Sequence, residues 1–241
     1  ARLDLDRLES RVRPGQTRLI SVTCPHNPTG TMLREADLHR LVGIAENSGA
    51  VLMVDETYRD LTQGPRLPMA ASLSPCAVSV GSMSKAYGLP GIRIGWAVTT
   101  GPDVQQSLLA AKEQIVICGS TIDEHIAGRV LTDRERILPA ILADVRDRAA
   151  VVGSWMQGQD TFEWVPPTGG VVGLVRFRED LVVDEEAFYR HLLADHGTSV
   201  GPGHWFEVDD RHFRLGFGWP TFEQLHAGLA GLTAAASDAM R

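Results

Sequence analysis

Three short apolar runs, each followed by a cluster of polar residues, constrain the fold of this chain more than any other feature. The runs are residues 18–23, 50–54 and 77–80, and a helical pattern over 34–48, with Gly49 as its predicted C-terminal cap, separates the first two. Strands that alternate with helices in this way predict a parallel sheet with crossover connections. Continuous apolar runs further predict that these strands are buried on both faces.

The rest of the chain predicts one more strand and then a second, smaller region. The predicted strands are 94–98, 162–165, 170–177 and 213–217, and the predicted helices are 102–117, 122–131, 134–156 (with Pro139 near its start), 184–196 and 221–236. We therefore predict an α/β protein in which residues 1–137 form a mostly parallel sheet with crossover helices. An interdomain helix at 138–159 then leads to a small α+β domain at 160–241.

The composition is typical of a globular protein that binds neither nucleic acid nor membranes. The formal net charge is −7 and no block of basic residues occurs, which argues against a nucleic-acid partner. No apolar run approaches the roughly 18 residues of a membrane helix, and the chain does not start with a secretory signal pattern. Cys24, Cys76 and Cys118 form no spaced framework, so we interpret them as reduced, buried thiols. These features predict a cytoplasmic protein.

The polar clusters lie where a sheet of this type binds ligands, which is beyond the carboxyl ends of its strands. They occupy residues 24–27, 55–58 and 81–85. Topology alone therefore predicts that these three clusters meet at one edge of the sheet.

Lys85 has the strongest predicted chemical role. A lysine amine forms an imine with an aldehyde only in its neutral form, which a desolvated position beside a cofactor favours. Ser82 and Ser84 precede Lys85 and Arg93 follows it, and two hydroxyls with a forked guanidinium are suitable partners for a phosphate. This combination predicts a lysine that binds a phosphate-bearing aldehyde, although a lone lysine in a loop is usually only solvated.

Other residues complete the set that pyridoxal phosphate requires. Asp55 follows a buried run, where a carboxylate needs a partner such as a protonated ring nitrogen, unless it only caps a helix. Tyr58 and Asn27 can reach a ring hydroxyl, although residues 27–30 also suit a plain turn. Arg214 lies in a predicted strand and is either solvated or ion-paired, or it is a bidentate clamp for a carboxylate. Together these residues predict a pyridoxal phosphate site.

Four further residues carry weaker predictions. His26 either shapes the pocket or is structural. We predict Trp96 and Trp219 to be core residues. Glu56 points to the opposite face if the strand continues, so we expect no chemistry from it.

The order and spacing of these motifs resemble the fold-type I pyridoxal-phosphate enzymes of the class I/II aminotransferase family. The resemblance rests on residues 27–30, Asp55-x-x-Tyr58, Ser82-x-Ser84-Lys85 and 91–95, and it extends to Arg214. It implies that Lys85 forms the Schiff base and shuttles the substrate proton. It further implies that Asp55 pairs with the ring nitrogen and that Tyr58 and Asn27 contact the 3′-oxygen. The phosphate would be bound by Ser82, Ser84 and Arg93, and the substrate by Arg214 with Asn27.

The resemblance implies a homodimeric amino-acid aminotransferase with amino-acid and keto-acid substrates. A rival uses the same carbanion for elimination, replacement or oxidation, and a loose similarity exists to enzymes that act on arginine derivatives in antibiotic pathways. A hypothesis of another class is the aminotransferase-like effector domain of a transcription regulator, which a winged-helix sequence upstream would identify. A dinucleotide-binding protein is disfavoured because no Gly-x-Gly-x-x-Gly turn follows the first strand.

The resemblance also implies parts that have no counterpart in these 241 residues. Family members have a phosphate-binding loop of small residues, an aromatic side chain that stacks on the cofactor ring and a tyrosine that reaches the partner's site, all before the first strand of this chain. We therefore expect that the chain is part of a longer protein or that a companion chain supplies the rest.

Overall fold

In the computed structural model of the protein, residues 3–240 are described. They divide into two compact units. Unit 1 comprises the chain up to His26 and then Thr31–Ile141. Unit 2 comprises Asn27–Gly30 and the chain from Leu142 onward.

Unit 1 is built on a four-stranded sheet in the order β1-β2-β3-β4. Its strands are β1 (Leu19–Thr23), β2 (Val51–Asp55), β3 (Ala77–Ser82) and β4 (Gly95–Val98). The first three are parallel and β4 is antiparallel to β3, so the predicted, mostly parallel sheet is confirmed. Thr23 pairs with Asp55, and Asp55 pairs with Val80. Because of this register, the carboxyl ends of the three parallel strands lie at one edge.

Five α-helices begin among the described residues of unit 1. They are α1 (Leu5–Arg11), α2 (Glu35–Ser48), α3 (Pro102–Ile115), α4 (Thr121–Thr132) and α5 (Arg134–Gln157), which continues into unit 2 and contains Pro139. Gly49 ends α2 in the left-handed conformation, with φ of 69°, as its predicted role as a cap requires. The sequence did not predict α1, because this helix has only seven residues and buries only one of them, Leu5.

The two faces of the sheet of unit 1 are buried to different degrees among the described residues. On that face Leu52 and Val54 of β2 pack in one cluster with Leu41 and Ala45 of α2. On the other face Leu19 is 53% exposed. A groove of about 460 Å³ lies there, lined by the sheet and by α3 residues such as Leu108. The prediction of burial on both faces therefore holds for β3, where Ala77 and Val78 are 0% and 4% exposed, and is wrong for β1.

Unit 2 contains an entirely antiparallel sheet in the order β5-β6-β8-β7. Its strands are β5 (Phe162–Trp164), β6 (Val172–Phe177), β7 (Gly201–Pro202) and β8 (His212–Gly216), and its further helices are α6 (Glu185–Ala194) and α7 (Phe222–Ala239). The two-residue β7 was not predicted, because it is too short to show a periodic pattern.

Phenylalanine side chains form the core of unit 2. The rings of Phe162, Phe177, Phe188 and Phe213 lie with centroids 4.8–6.4 Å apart. All four residues are at most 3% exposed. Aromatic pairs at these spacings add to the free energy that their burial supplies. Unit 2 therefore has a closed core of its own.

Two further predictions about burial are wrong, those for Trp219 and Cys118. Trp219 is 82% exposed, because it lies in the short connection between β8 and α7 rather than on a packed element. Cys118 is exposed, whereas Cys24 is buried and Cys76 is half-buried, and all three are free thiols. Trp96 is half-buried, with its ring so close to Gly81 that a Cβ atom there would lie 2.6 Å from it.

Within residues 3–240, no helix is both long and apolar enough to cross a membrane.

Candidate active site

Asp55 is the last residue of β2 and lies at the carboxyl edge of the sheet. Its backbone carbonyl accepts a hydrogen bond from the N–H of Cys24 at 2.9 Å, which fixes the edge between β1 and β2. In the side chain, Oδ1 accepts the N–H of Thr57 at 2.9 Å. That bond uses one carboxylate oxygen, so Oδ2 can pair with a protonated ring nitrogen.

The residues after Asp55 are held by a buried carboxylate that the sequence did not show to be important. Glu56 is 8% exposed, and its Oε1 accepts hydrogen bonds from the hydroxyl of Ser79 at 2.6 Å and from the N–H of Ala70 at 3.0 Å. These bonds support the turn that carries Tyr58, which is itself buried. The sequence contains one signal for this role of Glu56. A serine, Ser79, lies in the adjacent strand, where it pairs with Val54, two positions before Glu56.

Lys85 lies on a turn whose backbone is anchored on either side of it. Met83 and Ala86 are at most 1% exposed, whereas Lys85 is exposed. The N–H of Met83 donates to the carbonyl of Ile94 at 3.0 Å, and the carbonyl of Lys85 accepts from Gly88 at 3.2 Å. Within residues 3–240 the amine of Lys85 takes part in no hydrogen bond or ion pair. A side chain of this kind can move while its backbone stays fixed, and can thus react with a bound molecule.

The predicted phosphate ligands lie on either side of Lys85 along the chain. The Oγ of Ser82 accepts the N–H of Ser84 at 3.4 Å. Arg93 has a left-handed backbone with φ of 56°, and its Nη1 donates to the carbonyl of Pro90 at 2.5 Å. Left-handed backbone is unusual for a residue other than glycine, and such strain concentrates at functional sites. The two hydroxyls and the guanidinium form a donor set compatible with a phosphate.

Arg214 and Asn27 form a second predicted group, in unit 2. Arg214 lies in β8, and its Nη1 donates to Oδ1 of Asn27 at 3.1 Å. Its guanidinium lies 4.9 Å from the centroid of the Phe206 ring, a cation–π contact. No pattern in the sequence indicates Phe206, because the contact depends on how β7 and β8 pair. Two partners thus orient this guanidinium.

The segment that carries Asn27 is fixed within unit 2 by Gly30. The carbonyl of Gly30 accepts the N–H groups of Thr168 at 2.8 Å and of Gly169 at 3.0 Å. A Cβ atom at Gly30 would lie 2.4 Å from the carbonyl oxygen of Val172, and φ is 67°. Only glycine fits this position, so the glycine of the Asn-Pro-Thr-Gly motif has a structural explanation.

The structure thus places the predicted residues in two sets. The first set, in unit 1, contains Asp55, Tyr58, Ser82, Ser84, Lys85 and Arg93, and the second set, in unit 2, contains Asn27 and Arg214. His26 is exposed in unit 1, and partial desolvation lowers the pKa of its imidazole. Among the residues described, no group of three or more histidine, cysteine or acidic side chains could hold a metal ion. The chemical roles of these residues stay predictions.

A comparison with known protein families decides the family. Residues 1–230 match the family of class I and II aminotransferases. The chain belongs to this family. The predicted family and fold class are therefore confirmed.

Individual members of the aminotransferase family show the same relationship. The chain is 32% identical over 232 residues to capreomycidine synthase of Streptomyces vinaceus. This match covers 95% of this chain and 58% of that protein. A PLP-dependent aminotransferase from Streptococcus suis matches with a TM-score of 0.89 at 29% identity, over 99% of this chain and 62% of that one. The PLP-dependent cyclase OrfR matches with a TM-score of 0.86 at 32% identity, over 98% of this chain and 63% of that one. The chain thus spans less than two thirds of the length of these relatives.

Proposed function

We propose that this chain forms the larger part of a pyridoxal-phosphate-dependent amino-acid aminotransferase. The observation that carries the proposal is the Lys85 turn. There an exposed amine without an ion pair or hydrogen bond to residues 3–240 projects from an anchored backbone, with Ser82, Ser84 and Arg93 close to it along the chain. Membership of the class I and II family supports the same function.

The residues present fit the proposed cofactor. Ser82, Ser84 and Arg93 would bind its phosphate by hydroxyl and guanidinium hydrogen bonds. Asp55 would bind the ring nitrogen through Oδ2, since Oδ1 is bonded to Thr57. Tyr58 and Asn27 would contact the 3′-oxygen. When bound, pyridoxal phosphate supplies an electron sink that stabilises negative charge at the α-carbon of an amino acid.

The protein's own groups would bind the substrate and move its proton. Arg214 would bind the α-carboxylate by two parallel N–H bonds, with its guanidinium oriented by Asn27 and Phe206. The amine of Lys85 would remove the α-proton as a general base and return a proton as a general acid. The Asp55 carboxylate would keep the ring nitrogen protonated. These roles define an amino-acid donor and a keto-acid acceptor as the substrates.

Product analysis of the full-length protein tests the proposal. The protein is incubated with pyridoxal phosphate, a panel of amino acids that includes arginine, and one keto acid. Aminotransfer predicts that a new keto acid and a new amino acid appear in equal amounts, with no free ammonia. A reaction that consumes the amino acid without aminating the keto acid would contradict it.

A second candidate is elimination, replacement or oxidation of an amino acid, for instance of an arginine derivative in antibiotic biosynthesis. It is supported by the PLP-dependent cyclase OrfR, because that protein matches 98% of this chain at 32% identity and is not named an aminotransferase. The same cofactor ligands serve both reactions, since the outcome depends on which substrate bond breaks. Release of ammonia, or consumption of oxygen, would identify this candidate.

We also propose that the protein is a cytoplasmic homodimer. The net charge of −7 and the three free thiols support the location. A surface around α3 and α4 supports association, because its apolar side chains are strongly exposed. They include Leu109 at 54%, Ile115 at 81%, Ile117 at 85% and Ile122 at 74%. Contiguous exposed apolar patches mark interaction surfaces in globular proteins.

A further inference from the structure

A hydrogen bond joins the turn that carries Lys85 to the turn that carries Tyr58. The hydroxyl of Tyr87, two residues after Lys85, donates to Oδ2 of Asp60 at 2.8 Å. Asp60 lies in the one-turn helix Arg59–Leu61, which begins directly after Tyr58. This bond therefore crosses from the loop after β2 to the loop after β3.

Both partners of this bond are fixed by their surroundings. Tyr87 is 8% exposed, and burial, together with the neighbouring Asp60 carboxylate, raises the pKa of its phenol. The phenol thus remains a hydrogen-bond donor at neutral pH. The other carboxylate oxygen of Asp60 lies 3.2 Å from Nη1 of Arg66. Asp60 is consequently held between a donor on each side, and its position does not depend on Tyr87 alone.

The two turns carry groups that must keep a set separation in the proposed reaction. In the proposed function, Lys85 would bind the aldehyde group of the cofactor, and Tyr58 would contact its 3′-oxygen. A shift of about 1 Å between such groups can cost about 100-fold in rate. Buried Met83 anchors the Lys85 turn on its N-terminal side, and the Tyr87 bond anchors it on its C-terminal side.

We propose that Tyr87 is a positioning residue whose hydrogen bond to Asp60 sets the place of Lys85 relative to Tyr58. The inference rests on the proposed function. Tyr87 contacts neither cofactor nor substrate in this account, and it acts through the backbone of the two turns.

A matched pair of tyrosine variants tests the inference in the full-length protein. Tyr87→Phe removes the hydroxyl, and Tyr189→Phe removes the hydroxyl of a tyrosine in unit 2, which donates to the carbonyls of Asp210 and His212 at 3.0 Å each. Each protein is mixed with pyridoxal phosphate and treated with borohydride at successive times. Mass spectrometry of the Lys85 peptide then measures the rate of covalent attachment, and thermal unfolding is measured in parallel.

We expect Tyr87→Phe to slow attachment to Lys85 about five- to tenfold, the effect of one lost hydrogen bond, and to lower kcat with little change in KM. Tyr189→Phe should lower thermal stability to a similar degree and leave the attachment rate unchanged. Asp60→Asn, which keeps an oxygen acceptor for Tyr87, should retain most of the wild-type attachment rate. Asp60→Ala should slow attachment as Tyr87→Phe does.

Two results would overturn the inference, and they are distinguishable. If wild type attaches the cofactor to Lys85 and Tyr87→Phe attaches it equally fast, Tyr87 has only a structural role and the proposed function stands. If wild type shows no Lys85 adduct, the proposed function fails and the role of Tyr87 fails with it.

Discussion

The two units of this protein differ in how completely their own residues bury their sheets. In unit 2, Phe177, Phe188 and Phe213 are at most 1% exposed and lie in one aromatic cluster. In unit 1, Leu19 on the uncovered face of the sheet is 53% exposed, and the 14 residues of α3 include no buried one. Unit 2 is therefore stabilised by its own core. Unit 1, which carries most of the proposed cofactor ligands, has exposed apolar surface that is available for association with another chain.

The largest expected effect tests the closed core of unit 2. Phe213→Ala should lower the free energy of unfolding by about 3–5 kcal/mol, because it removes a fully buried ring and leaves a cavity. Trp219→Ala, at a position 82% exposed, should change it by less than about 0.5 kcal/mol. Chemical denaturation followed by circular dichroism measures both. Similar losses for the two variants would show that unit 2 is not organised around this cluster.

The next effect tests whether the second unit contributes to function as well as to stability. Arg214→Lys should raise KM for the amino acid about 10- to 100-fold, because lysine cannot replace the forked hydrogen bonds of a guanidinium. The free energy of unfolding should change little, since the position is only half-buried. Steady-state kinetics measure KM.

The control for Arg214 is Arg176→Lys. Arg176 lies in the same sheet but forms exposed ion pairs with Glu163 and Glu179. An equal rise of KM in the two variants would refute the assignment of Arg214 to the substrate carboxylate.

A smaller effect tests the polar support inside unit 1. Glu56→Ala should lower the free energy of unfolding by about 1–3 kcal/mol, because it leaves the hydroxyl of Ser79 and the N–H of Ala70 without their buried acceptor. Glu113→Ala, on the exposed surface of α3, should have an effect below about 0.5 kcal/mol. Denaturation curves for both variants check this. No difference between them would mean that the Glu56 bonds do not stabilise the turn at the site.

The smallest expected effect on folding tests the exposed apolar surface of unit 1. Ile115→Ser combined with Ile117→Ser should change the free energy of unfolding of the monomer by less than about 0.5 kcal/mol, since both residues are over 80% exposed. The double variant should nevertheless dissociate at a higher protein concentration, which light scattering after gel filtration measures. Val182→Ser, at a position 67% exposed in unit 2, is the control. Unchanged assembly in the double variant would remove this surface from the proposed dimer.

Local patterns in the sequence predicted most elements of the fold, because helix and strand periods and turn chemistry are properties of neighbouring residues. Helix α2 with its Gly49 cap and the parallel strands are examples. The family, too, followed from the spacing of short motifs, and the match over residues 1–230 confirms it. The burial of Trp219 was predicted wrongly, since an aromatic residue in a connection is exposed or buried according to what packs on it.

The contacts that shape the proposed site were less accessible to sequence reasoning. Arg214 and Asn27 are 187 positions apart, and Tyr87 and Asp60 are 27 apart. No periodicity links residues at such separations, so only a folded chain shows which of them meet. The residue types could therefore be predicted from the motifs, but their orienting partners could not.

The most direct test of the proposed role of Lys85 uses the fact that these 241 residues contain two lysines, Lys85 and Lys112. The full-length protein is mixed with pyridoxal phosphate, reduced with borohydride, digested and examined by peptide mass spectrometry. We predict a phosphopyridoxyl adduct on the peptide with Lys85 that Lys112→Arg retains and Lys85→Arg abolishes. An adduct confined to Lys112 or to a lysine outside these 241 residues, equal labelling of Lys85 and another lysine, or no adduct would contradict this prediction.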